Sequence, residues 1–169
     1  MRKMGLICST ALMATGIAPE ALAQHVEPSG SAYTATGIVA LSGSGFPSLI
    51  CNAVITGVTG SDLGGAHTGH AAGGIITSGT FTGSGPCTAL AIDLSNNPTF
   101  DIASYSPSGL GTGTGNFRDL ALNIGCTTPS TIPFTIVNTS TTTSEIELSG
   151  SIGSCWIEAL LNADLVVVP

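Results

Sequence analysis

Apolar and polar side chains alternate with a period of two along almost the whole chain, a pattern that suits half-buried β-strands and leaves little room for amphipathic helices. Tyr33, Ala35, Gly37, Val39 and Leu41 fall on one face of a first run. Leu49, Cys51, Ala53, Ile55 and Gly57 share a face of the second, with Ile50, Val54 and Val58 opposite. In a segment at 72–83, strict alternation places Ile75 and Phe81 on one face and Ile76 on the other. Leu90, Ile92 and Leu94 alternate after Cys87, and Leu120, Leu122 and Ile124 alternate before Cys126. The clearest half-buried strand sets Ile146, Leu148 and Ile152 against Glu145, Glu147, Ser149 and Ser151. Only 154–161 also admits a helical stripe, through Ile157, Leu160 and Leu161, and strand is the preferred reading.

Turn-forming clusters punctuate these runs: 42–45, 59–62, 83–86, 95–98 and 106–115 are built from Gly, Ser, Asn, Asp, Pro and Thr, with a single Leu and Tyr-free tips. Seven to ten short strands at such intervals predict an all-β single domain, an antiparallel β-sandwich or a barrel-like variant. Ser, Thr and Gly supply 18, 20 and 21 of residues 24–169. Charge is sparse and Val, Ile, Leu and aromatics are spread evenly, so the composition fits a folded β-protein and not a disordered chain.

The N-terminus reads as an export signal. Arg2 and Lys3 precede an apolar run from Met4 to Ala18, and Ala21-Leu22-Ala23 has the A-x-A form of a cleavage site. The expected division is a signal peptide at 1–23 and one secreted domain at 24–169. The apolar run is short for a membrane span and is interrupted by Gly16 and Pro19. No other long apolar segment occurs, so a protein that does not span the membrane is expected, outside the cell or at its surface, with a bacterial route assumed. Past the signal, Arg118 is the only lysine or arginine, against nine Asp and Glu. That balance disfavours nucleic acid and anionic lipid as partners.

Four cysteines follow the signal, Cys51, Cys87, Cys126 and Cys155, separated by 36, 39 and 29 positions. An even number in an oxidising compartment predicts two disulfides, and these spacings lack the close pairs of a zinc site or a C-x-x-C redox centre. Three pairings are open; Cys51–Cys87 with Cys126–Cys155 is the one favoured.

No catalytic constellation emerges. There is no G-x-S-x-G elbow, and the glycine-rich 109–115 lacks the lysine and helix of a phosphate cradle. Nothing in the sequence brings Asp93 and Asp101 together as an acid pair. The weak metal candidates are His67 and His70 with Asp62, in a glycine-rich loop that offers no further strong ligand, so neither a metal nor a cofactor is expected. Asn138-Thr139-Ser140 matches the N-glycosylation acceptor pattern by chance in a threonine-rich stretch. Leu165-Val166-Val167-Val168 is apolar on both faces, so it needs burial within the fold or against a partner subunit, which makes it a candidate assembly strand.

The stretches Tyr33-Thr34-Ala35-Thr36-Gly37, Leu41-Ser42, Cys51-Asn52-Ala53, Gly57-Val58-Thr59-Gly60 and 74–83 resemble the PraB family, as do the spread of four cysteines and the terminal Val-Val-Pro. These are secreted activators of alkane oxidation, linked also to surface hydrophobicity and biofilm. The bulkier Trp156-Ile157-Glu158-Ala159 after Cys155 departs from the small polar residues of that pattern. The resemblance implies a non-catalytic cell-surface or matrix protein that helps cells meet apolar substrates. The alternative is a filament or pilus-like subunit that polymerises by strand addition. In both readings the partners are further copies or hydrocarbon-like surfaces.

Overall fold

A computed structural model describes residues 25–43, 46–60 and 73–168. The described strands are β1 (His25–Glu27), β2 (Ala32–Gly43), β3 (Phe46–Thr59), β4 (Gly73–Thr82), β5 (Thr99–Ser106), β6 (Thr112–Leu120), β7 (Ser130–Asn138), β8 (Ser144–Ile152), β9 (Cys155–Ala163) and β10 (Val166–Val168). Strands β2 to β9 form a closed barrel in sequence order, every neighbour antiparallel, with β9 returning to β2. Of the two architectures open from sequence, the barrel is the one formed. β1 and β10 pair with each other as a separate two-stranded ribbon, His25 opposite Val168 and Glu27 opposite Val166. The 154–161 segment lies in β9 and is strand.

Alternation turns one set of side chains inward, and the barrel is narrow enough for them to fill it. Tyr33, Phe100, Phe117 and Phe134, from β2, β5, β6 and β7, meet in sequence through edge-to-face and tilted contacts, with ring centroids 5.5, 6.3 and 4.8 Å apart. Glycines make room for these rings. A Cβ on Gly57 would lie 2.5 Å from the Tyr33 ring, and one on Gly115 would lie 2.4 Å from Phe134. The interior retains a cavity of about 20 Å³ lined entirely by apolar side chains, among them Val39, Ile55, Phe81 and Leu161. One water would fit by volume, but no polar group there would hold it.

Strict alternation misplaces one strand. Thr56 pairs with Ser78 and Gly57 with Ile76, so Thr77 is an extra residue on β4. This bulge reverses the phase: Ile76 and Phe81 both point inward, while Ile75 turns outward and is 41% exposed. Two alternating runs also stop short of being strands. Leu90 and Ile92 are buried but belong to the β4–β5 connection, held by the bridges Thr80–Ala91 and Ile92–Leu122. Leu94 sits in a 3-10 turn and Ile124 follows β6, and both are exposed.

The disulfides are Cys51–Cys87 and Cys126–Cys155. Both tie a connection to a strand at the same end of the barrel, where β3 and β9 begin. The opposite end is closed by the β1–β10 ribbon without a disulfide. There Leu165 and Val167 are 1% and 0% exposed. The buried Asn138 amide donates to the Val167 carbonyl (2.8 Å) and accepts from the Val167 N–H (3.1 Å). The Ser144 hydroxyl lies 2.8 Å from Asn138 Oδ1 and 2.7 Å from the Leu165 carbonyl oxygen.

Candidate functional site

With the interior full, the outward side chains are what the barrel offers to other molecules. Outward positions of β6, β7 and β8 carry mainly Thr112, Thr114, Asn116, Thr131, Thr135, Glu145, Glu147 and Ser149, with Val137 the large apolar exception. Outward positions of β9, β2 and β3 differ. Leu160 stands directly opposite Ile38, and Ile38 opposite Asn52, so Ile50 and Val54 lie diagonal to Ile38 on the next strand. Ala40 is opposite both Ile50 and Glu158. Diagonal side chains of this length are within reach of one another across a sheet. The result is a contiguous apolar strip with Ile38 at its centre. Exposure is 56% for Ile38, 72% for Ile50 and 48% for both Leu160 and Trp156.

The strip has an acidic margin. Glu147 is opposite Leu160, Glu145 opposite Asn162, and Glu158 opposite Ser149. Trp156 Nε1 donates to Glu158 Oε1 at 3.1 Å, which fixes the indole at the border of the strip. An open depression of about 510 Å³ runs here, lined by Ile38, Ala40 and Leu160 on one side and by Glu147, Ser149 and Glu158 on the other. The single arginine of residues 24–169 is engaged elsewhere: Arg118 donates through Nε (2.9 Å) and Nη2 (2.6 Å) to the buried Asp101 carboxylate, which also accepts from the Asn116 amide.

Other residues singled out by sequence are placed as follows. Val166, Val167 and Val168 pair with the chain's own β1, and Leu165, Val166 and Val167 are buried. That is burial within the fold, one of the two outcomes open to this run. Asp62, His67 and His70 lie outside the described residues, as do residues 1–23, the expected signal peptide. Asp93 and Asp101 do not form a pair. Asp93 accepts from the Ser95 amide at the start of a 3-10 turn, and this contact with Ser95 holds its carboxyl below the ordinary value. Asp101 is buried against Arg118. Asn138 of the acceptor tripeptide is 6% exposed with its amide committed to β10, so its side chain is not presented to solvent. The apolar strip was visible in part: Ile50, Val54 and Val58 stand out as apolar residues on the face opposite the core. Ile38 and Leu160 gave no such signal alone, because only pairing of β2 with β9 brings them together.

No curated protein and no solved structure matches the chain. A family model does, over residues 1–168, and with that extent the chain belongs to the alkane oxidation protein activator PraA/PraB-like family.

Proposed function

We propose that this is an exported, non-catalytic surface-active protein that adsorbs through the β9–β2–β3 face where water meets an apolar phase, and so helps cells reach alkane-like substrates. The observation that carries the reading is the contiguous apolar strip on the outside of a barrel with no room for a ligand inside. Bringing five roughly half-exposed side chains (Ile38, Ile50, Val54, Trp156 and Leu160) out of water is worth about 1 kcal/mol each, hence about 5 kcal/mol in all. That magnitude suits reversible adsorption. Because β2 is paired on both sides, its backbone groups are satisfied by neighbouring strands, and contact with hydrocarbon strands few of them without partners. The Thr-, Ser- and Glu-bearing flank of β6 to β8 stays in water. This one-sided arrangement differs from the apolar belt that encircles a membrane-spanning barrel.

The second reading, a subunit that polymerises by strand addition, has less support. Closing the barrel removes the long edges such addition uses, and the apolar run 165–168 already has a partner in its own chain. The test of the adsorption reading is the variant Ile38→Ser, Ile50→Ser, Leu160→Ser at a hexadecane–water interface. Pendant-drop tension should fall more slowly and less far than with the unaltered protein, while thermal unfolding stays the same. Equal tension curves for the two proteins would sink the reading.

A further inference from the structure

We propose that the β1–β10 ribbon is a strap that opens as a unit and uncovers one mouth of the barrel while the eight barrel strands remain closed. The inference is independent of the adsorption reading, since it concerns the other end of the molecule and is tested in bulk water.

Four observations combine. The ribbon is only three residue pairs long and pairs with no barrel strand. No disulfide ties it to the barrel: both disulfides sit at the opposite end, and the last cysteine, Cys155, precedes β10 by a full strand, so the main chain alone joins ribbon and barrel covalently. Its attachment rests instead on a small polar set: the buried Asn138 amide holding both backbone groups of Val167, the buried Ser144 hydroxyl at the Leu165 carbonyl, and, at the surface, Asp164 accepting from the Thr34 amide. Finally, the closed state carries a polar defect near this end. The Tyr33 hydroxyl, on the second residue of β2, is buried and has no hydrogen-bond partner among the described residues. An unpaired buried hydroxyl disfavours the closed state and gains water when the mouth opens.

Within the barrel the β2–β3 and β8–β9 ladders pair over most of their lengths, and although β4–β5 has only three pairs, each of those strands is held along a long ladder on its other side. Segments with few bonds to the rest of a domain open locally without global unfolding. Opening here would present Val26, Leu165, Val166 and Val167, all buried when the strap is closed, as a second apolar surface.

Native-state hydrogen exchange on the disulfide-intact protein tests this, with the Val167 amide as reporter of the strap and the amides of β2 and β9 as reporters of the barrel. The expected result is Val167 exchange at least about 100-fold faster than the slowest barrel amides. Ser144→Ala and Asn138→Ala should each speed Val167 exchange by about tenfold or more and leave the barrel amides unchanged. Equal protection of strap and barrel in the unaltered protein overturns the proposal. So does a variant that accelerates strap and barrel alike, or Val167 exchange that neither substitution moves. Should Asn138→Ala fail to fold, the unaltered protein and Ser144→Ala still decide the outcome.

Discussion

The two ends of the barrel are closed by different chemistry. At one, Cys51–Cys87 and Cys126–Cys155 bind the β4–β5 and β6–β7 connections to strands β3 and β9. At the other, a six-residue ribbon is held by the side chains of Asn138 and Ser144 and by apolar burial. A disulfide acts largely on the unfolded chain and keeps its effect when local packing fluctuates. A buried hydrogen-bonded set depends on every partner staying in place, and losing one leaves others unpaired. The covalent end therefore sets the stability of the whole domain, and the hydrogen-bonded end sets how readily one mouth opens.

That contrast yields graded expectations. Removing Cys51–Cys87 by a double Cys→Ala substitution should cost about 4 kcal/mol, because it frees a loop of 36 residues. Urea unfolding would measure it, and a loss below about 1 kcal/mol would mean that the covalent end does not dominate. Asn138→Ala should cost about 2–3 kcal/mol, since it leaves the Val167 N–H and carbonyl without partners in a buried site. Its unfolding midpoint should drop less than that of the disulfide variant, and a larger drop would reverse the ranking of the two ends.

Tyr33→Phe should have the opposite sign. It removes the unpaired hydroxyl and is expected to raise stability by up to about 1 kcal/mol. Burial also pushes the Tyr33 hydroxyl pKa well above its ordinary value of about 10. The folded state therefore holds this proton more tightly than the unfolded state. Stability is intact below about pH 10 and falls as pH rises beyond it, where only the unfolded chain ionises at this residue. Melting temperatures taken from pH 8 to 11 should show a shallower alkaline decline in Tyr33→Phe than in the unaltered protein. The smallest effect per substituted site belongs to neither end. The triple serine substitution of Ile38, Ile50 and Leu160 on the barrel wall should stay within about 0.5 kcal/mol per site, while interfacial activity falls.

Much of the architecture was legible in local pattern. The inward sets of β2, β3 and β8 follow from alternation, since each of these strands keeps its phase across most of its length, whereas β9 was legible only as the preferred of two readings. The pattern failed at β4, where one extra residue at Thr77 exchanges the faces of Ile75 and Ile76, because a bulge is a property of the pairing and leaves no mark in hydrophobicity. It also overran at Leu94 and Ile124, where the chain keeps its alternation after leaving the ladder. The apolar strip was only half visible for a related reason. Exposed apolar residues can be suspected strand by strand, but Ile38 and Leu160 meet only through the pairing that closes the barrel.

By itself, then, the sequence determined an all-β chain of short strands with four cysteines suited to two disulfides, because side-chain period, turn residues and cysteine number are properties of neighbours along the chain. Tertiary structure alone decided the rest. It chose a barrel in place of a sandwich through the pairing of β9 with β2, residues more than a hundred positions apart. It gave 166–168 a partner in 25–27. It filled the interior with apolar side chains, four contacting rings among them, so that the surface remaining for function is the outer wall. These are choices of long-range register, and register is settled only when both strands of a pair can bury their apolar faces at once.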